Sequence, residues 1–425
     1  VVLPVESRAV LPGDPPGGWF GSRSALVRSS AILGPALMAA NVASYLLAVL
    51  GGRELSPADY GFFGSLLSVL LVAGVPALAI QAVIARRTAV GEIDLTGALR
   101  IGVLTGSVSA ALGLLLTPAL AIFLHAGSHA LGLVMIMASL LPLNVLAAVQ
   151  GRLQGRERFA GLAVLVLLIG SGRLLGGVVP LVLHAGSTVV MLGIGVGVTA
   201  AAAVGVRMAR VERAAATDET VTSGVPLRAE VAGAVLAMGA LLLLSNLDLL
   251  LGRHVLTSVV SGRYAAGNVI AKVAFWLPQA VALAALPRLS RGAGRVKAMR
   301  EALLLTAALA GVIVVVAAVA GVLVTRLAFG PRYASIGGVA WLFAVQGGIL
   351  ALVQLAILDD IAMRRRVVAP LAVVAAVVEV AVVLGAGIST PHALIVTATS
   401  VAAVLGCAVA VRRRSAETSL EVSAS

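Results

Sequence analysis

Charge is scarce in this sequence, and what there is leans to one sign. Only 12% of the 425 residues are charged, against about 25% in an ordinary soluble domain, and 31 basic residues face 18 acidic ones. A water-soluble fold is excluded for most of the chain, and a mean hydropathy of +1.08 makes lipid the solvent. One cysteine, Cys407, excludes an internal disulfide; in its apolar run it reads as a small packing residue. Aromatics make up 4%, and no soluble basic domain carries stacking platforms, so nucleic acid is not an expected partner. Lysine is nearly missing: Lys272 and Lys297 stand alone in a chain rich in Ala, Val and Gly. That is the usage of a GC-rich genome, and a bacterial source is expected. No G-x-x-x-x-G-K-[ST] occurs, so ATP hydrolysis at a P-loop is excluded. No HExxH or Cys/His cluster suggests a metal, and the short outer loops hold no carboxylate cluster for glycosyl transfer. Neither an enzyme nor a cofactor is expected.

What the chain has is long apolar runs. They approach 20 residues without period-2 alternation, and in hydrocarbon every backbone group must be satisfied internally, so helices are expected. Twelve spans divide the chain into an N-terminal tail (1–30), a first lobe of six spans (31–206), a linker (207–230), a second lobe of six spans (231–411) and a C-terminal tail (412–425). The first thirty residues have no apolar core of leader length and read as a soluble tail. Twenty-four basic residues fall on one side of this arrangement and five on the other, with Arg173 and Lys272 inside spans. Lys and Arg near short loops are retained on the cytoplasmic side, so both termini are expected in the cytoplasm.

The stretch GRELSPADYGFFGSLLSVLLVAGVPALAIQAVIARR, residues 52–87, returns in altered form as GRHVLTSVVSGRYAAGNVIAKVAFWLPQAVALAALPRL. Gly61 maps on Gly262, Pro76 on Pro278 and Arg86 on Arg288, at offsets of 201 to 202 residues. Six spans per copy is an even number, so the copies enter the membrane in the same direction. The expected fold is all-α: about twelve transmembrane helices in two parallel six-helix repeats, forming two lobes around a central cavity.

Four ionisable residues fall within spans: Arg173 in the fifth, Asp248 in the seventh, Lys272 in the eighth and Glu379 in the eleventh. Each costs about 2.5–3.5 kcal/mol or more at bilayer depth, so each is expected to face a bundle interior or a watery path. At ~1.5 Å per residue they share one layer, at or beyond mid-depth on the non-cytoplasmic side. Two readings stay open. The charges pair structurally, Asp248 with Lys272 and Arg173 with Glu379; or the cations attract an anionic head group while the carboxylates tune charge or couple to an ion. Pro76 and Pro278 remove a helix hydrogen bond at matched places, as moving hinges or as static kinks.

The residues L-S-P-A-D-Y-G-F-F before span two, V-P and A-R-R along it, S-N-L-D-L-L-L-G-R from Ser245 to Arg253, and W-L-P-Q-A-V-A-L-A-A-L-P-R-L carry a resemblance. They resemble the polysaccharide-flippase branch (O-antigen and teichoic-acid export type) of the multidrug/oligosaccharidyl-lipid/polysaccharide exporter superfamily. The resemblance implies a V-shaped pair of lobes, alternately open to either side of a bacterial cytoplasmic membrane, flipping a polyprenyl-pyrophosphate-linked oligosaccharide for cell-surface polysaccharide synthesis. It also implies partners among glycosyltransferases or a polymerase of the same pathway. Arg28, at the cytoplasmic start of span one, is similar to the basic position that meets the pyrophosphate in lipid-flipping relatives. Span one, with Asn41, Ser44 and Tyr45, lacks the carboxylate of many cation-coupled multidrug relatives. A cation-coupled multidrug or small-solute antiporter and a non-transporting scaffold of an envelope complex are the alternatives.

Overall fold

The computed structural model describes residues 23–214, 227–276, 295–362 and 368–424, and among them there is helix and short turn but no strand. The first half contains α1 (Arg23–Glu54), α2 (Pro57–Ala73), α3 (Val75–Ala89), α4 (Leu95–Phe123), α5 (Ala130–Gly155), α6 (Phe159–Val182) and α7 (Gly186–Ala214). The second contains α8 (Leu227–Val255), α9 (Ser258–Trp276), α10 (Arg295–Phe329), α11 (Ala340–Ala362), α12 (Val368–Gly385) and α13 (Pro391–Ala424). Eleven segments among the described residues are long and apolar enough to cross a bilayer, α2 and α3 counting as one. The expected eighth span begins as α9; its continuation, including Pro278, lies outside the described residues.

Local chemistry sets the helix starts. Ser56 caps α2: its Oγ accepts the Asp59 amide at 3.2 Å and donates to Asp59 Oδ2 at 2.7 Å. Pro57 fills the first helical position, where no amide is needed. Asp94 caps α4 by accepting the Gly97 amide at 2.8 Å. Span two is broken where the sequence places Pro76. Gly74 closes α2 with its amide on the Leu70 carbonyl, and α3 restarts at Val75 with Pro76 in its first turn.

Helix persists beyond the expected lobe bounds at four places. α1 already runs at Arg23, α7 continues to Ala214, α8 already runs at Leu227 and α13 continues to Ala424. Arg, Ala and Glu in these extensions are good helix formers, and nothing there breaks the ladder. Of the expected linker, residues 215–226 lie outside the described residues.

The packing pattern of the first half recurs in the second. α4 packs on α5 as α10 does on α11, α6 on α7 as α12 on α13, and α1 on α6 as α8 on α12. Likewise α3 packs on α5 as α9 does on α11, and α5 on α7 as α11 on α13. Two six-span units with one internal arrangement and one direction make a parallel repeat. Between the halves, α2 packs on α9 and α8, and α3 on α8. A Cβ at Gly61 would meet the Gly262 nitrogen at 2.7 Å, and one at Gly262 would meet the Pro57 carbonyl oxygen at 1.7 Å. A Cβ at Gly64 would lie 3.1 Å from that of Ala265, its repeat counterpart. Counterparts that touch lie on the axis relating the halves, so the axis passes through the α2–α9 crossing. Long apolar side chains such as Leu115 and Val319 point outward at 76% and 85% exposure, as lipid-facing residues do.

Candidate functional site

The polar layer gathers where α8, α9, α11 and α12 meet. Asp248 of α8 is 0% exposed and accepts the Tyr264 hydroxyl at 2.9 Å and the Asn268 amide at 3.1 and 3.3 Å. The Gln346 amide of α11 lies beside it. Glu379 of α12 is 1% exposed, stands near enough to Asp248 for their charges to interact, and its Oε1 has no hydrogen-bond partner. Two carboxylates brought together in a low-dielectric pocket repel unless a proton or a cation lies between them.

Lys272 of α9 borders this pair, and its field reaches Asp248. Its Nζ, however, donates to the Ser245 carbonyl and to Asn246 Oδ1, the latter at 2.9 Å. The Lys272 carbonyl in turn accepts the Tyr45 hydroxyl at 3.2 Å, so α1 of the first half reaches the layer. Arg173 stands elsewhere. It shares a stripe of α6 with Gly170 and Gly177, which pack on Ala40 and Leu47 of α1. Its Nε is buried without a hydrogen bond.

Of the residues singled out in the sequence, Asp248, Lys272 and Glu379 come together, and Arg173 stays in the other half. The Arg173–Glu379 pair of the structural reading, one of the two left open, is absent from the ion pairs of the described residues, as is an Asp248–Lys272 pair within 4.0 Å. The reason is competition: Tyr264 and Asn268 satisfy Asp248, Asn246 and a carbonyl satisfy Lys272, and Glu379 lies within charge range of Asp248. Pro76 sits at the span-two break. Arg28 lies on α1, with its side chain outside the described residues, as is all of Pro278.

Sequence reasoning missed the residues that join the halves at the end away from the basic loops. Arg53, at the end of α1, donates to the last carbonyls of α10: Nε to Ala328 at 2.7 Å, and Nη2 to Leu327. Arg253, at the end of α8, donates to the carbonyls just past the end of α4: Nε to the cap residue Leu124 at 2.9 Å and Nη2 to His125 at 3.5 Å. Its guanidinium carbon also stands 5.5 Å from the Phe62 ring centre, and His254 stacks on Phe123 with centroids 4.4 Å apart. Each arginine thus crosses to the other half and satisfies a helix C-terminus, where carbonyls lack partners and the dipole favours a cation. A signal was present. The repeat sets Gly52-Arg53 over Gly252-Arg253, an offset of 200 residues.

The basic end is bridged differently. Arg86 and Arg87 of α3 both bind Glu230 of α8, Arg87 Nε at 3.0 Å from Oε2, with Glu92 further out at 3.8 and 3.9 Å. The repeat-related bridge would fall on residues outside the described set. One end is thus held by two arginines bonded to neutral carbonyls, and the other by an ionic cluster.

No family model and no curated protein sequence matches this chain. Solved structures do. Lipid II flippase MurJ in an inward closed conformation aligns with a TM-score of 0.70 at 10% identity, over 91% of this chain and 87% of that one. An inward-facing multidrug resistance MATE family transporter of the MOP superfamily gives 0.65 at 11%, over 92% and 99%. The MATE multidrug transporter DinF-BH gives 0.61 at 16%, over 92% and 94%. Identities this low speak for the fold alone: a multi-pass, two-lobed membrane protein with the architecture of the MOP-superfamily transporters.

Proposed function

We propose that this chain flips a polyprenyl-pyrophosphate-linked oligosaccharide across a bacterial cytoplasmic membrane by alternating access, with the basic end and both termini in the cytoplasm. The observation that carries this reading is the state of the intramembrane cations. Arg173 has a buried Nε with no hydrogen-bond partner, and Lys272, within charge range of Asp248, makes its hydrogen bonds to neutral oxygens. A cation with no carboxylate in direct contact at bilayer depth attracts an anionic head group as it passes, because weak screening strengthens the attraction and desolvation opposes leaving either charge alone. Likeness in fold to a lipid II flippase supports a lipid-linked substrate. In this reading Arg28 receives the pyrophosphate at the cytoplasmic face, Arg173 and Lys272 hold it part-way, and Pro76 and Pro278 mark hinges in the two spans nearest the axis. Asp248 and Glu379 supply the coupling site, sharing a proton or small cation whose exchange drives the change of access.

A second reading, a cation-coupled multidrug antiporter, is favoured by that carboxylate pair and by the likeness in fold to MATE transporters. Reconstituted proteoliposomes separate the two. Replacing both cations in R173Q/K272Q should lower lipid-linked glycan flipping at least tenfold, with folding and expression kept. Full flipping by the well-folded double variant, together with uptake of a cationic dye that D248N abolishes, would favour the antiporter.

A further inference from the structure

Outside the axis, the first half carries a trench with no occupant in the reading above. α4 and α7 both pack along α5 but scarcely meet each other, so they form two walls over an α5 floor. One branch is a cavity of about 970 Å³ between α5 and α7, lined by apolar groups such as Leu141, Pro142, Val145 and Val196. The other, about 1020 Å³, runs along α4 past Leu99, Val103 and Leu104. Arg210 lines both branches, Arg207 the first and Arg100 the second.

These three arginines are unlike those that bridge the halves. Arg86 and Arg87 have Glu230, and Arg253 has carbonyls, whereas among the described residues no hydrogen bond or ion pair holds Arg100, Arg207 or Arg210. The floor from Met135 to Val145 runs about 15 Å at the helical rise, which is one leaflet of hydrocarbon. Two apolar branches of leaflet length that meet at three free guanidinium groups match one anionic head with two chains. A single-chain polyprenyl carrier would fill only one branch.

We propose that this trench binds an anionic phospholipid of the surrounding membrane, one acyl chain in each branch and the phosphate against Arg100, Arg207 and Arg210. Basic pockets between spanning helices at the cytoplasmic face are suited to such head groups, and three arginines give about a hundredfold preference over a zwitterionic lipid. The site lies away from the layer between the halves and is independent of what the chain transports.

Native mass spectrometry of the delipidated full chain, titrated with phosphatidylglycerol or phosphatidylcholine, tests it without a transport assay. The wild type should retain one phosphatidylglycerol in strong preference to phosphatidylcholine, and R100Q/R207Q/R210Q should lose that preference at least tenfold. A second variant keeps the arginines and fills the apolar branch: Ala203→Trp, at an exposed position of the trench, should also lose the lipid. Equal retention of both lipids by the wild type, or undiminished phosphatidylglycerol on either variant, overturns the proposal. So does displacement of phosphatidylglycerol by an equimolar polyprenyl phosphate, which would make the carrier lipid the occupant.

Discussion

Arg53 and Arg253 perform the same task under different solvation. Arg253 is 7% exposed and lies over an aromatic ring, whereas Arg53 is exposed. Removing Arg253 leaves the buried carbonyl of Leu124 without its donor, at roughly 1–3 kcal/mol, while the exposed His125 turns its carbonyl to water. Arg53→Gln exposes its carbonyls to water and costs about 1 kcal/mol or less. Arg253→Gln should therefore lower the melting temperature in detergent clearly, and Arg53→Gln hardly at all. Ser261 is 1% exposed, and its Oγ accepts from Arg253 at 3.3 Å, which makes it a reporter. A cysteine there should react with a soluble maleimide several-fold faster when Arg253 is replaced. An equal response to the two arginine substitutions would mean that the α8–α4 bond does not seal this end. Arg253→Lys should rescue only partly, since an ammonium cannot span two carbonyls and a ring as the planar fork does.

At the scale of elements, the α2–α9 crossing depends on missing side chains. A Cβ at Gly262 would fall 1.7 Å from the Pro57 carbonyl oxygen, and backbone on both sides leaves no flexible atom to move aside. Gly262→Ala should destabilise by about 2 kcal/mol or more through overpacking on the axis. Gly311 of α10 has nothing within 4 Å of its would-be Cβ, so Gly311→Ala should be neutral or slightly stabilising. Thermal denaturation of both variants checks the contrast, and equal melting points would mean the crossing is looser than described. The break in span two belongs to this scale as well. Pro76 announces a fault to any sequence reader, but that Gly74 ends one helix and begins the next is a matter of backbone angles at a single residue.

For the whole molecule, the unlike closures at its two ends bear on the alternating access proposed above. Arg253 makes its carbonyl bonds while buried, whereas the Arg86–Glu230–Arg87 cluster, with partly exposed side chains, is a modest tie. Glu230→Gln should let α3 and α8 separate at the basic end. Gly239 lies against Val75, with 3.2 Å from its would-be Cβ to the valine Cγ1, so the pair V75C/G239C should form a disulfide readily. Its rate should fall several-fold with Glu230→Gln added, and an unchanged rate would assign that end's closure to apolar packing. Topology is tested at the same scale: cysteines at Ser128 and Ser258 should label from outside intact cells, and one at Ser415 should not. Outside labelling at Ser415 would reverse the proposed orientation.

Much of this architecture is legible in the sequence because hydrocarbon imposes few solutions. Apolar length fixes helices, an even count per copy fixes parallel repeats, and the recurrence of Gly61 at Gly262 marks the pair that meets at the axis. Which polar groups choose one another was not legible. Asp248 and Lys272 lie on consecutive spans, and any ladder of charges would pair them; tertiary packing instead sets Tyr264 and Asn268 at Asp248 and Asn246 at Lys272. Hydrogen-bond partners are decided by rotation of each helix about its axis, and a turn of about 100° per residue moves a side chain to another neighbour. The arginine bonds between the halves and the paired carboxylates arise in the same way. Sequence determined the solvent, the element type and the repeat; only the folded chain decided which buried charge is answered by which dipole.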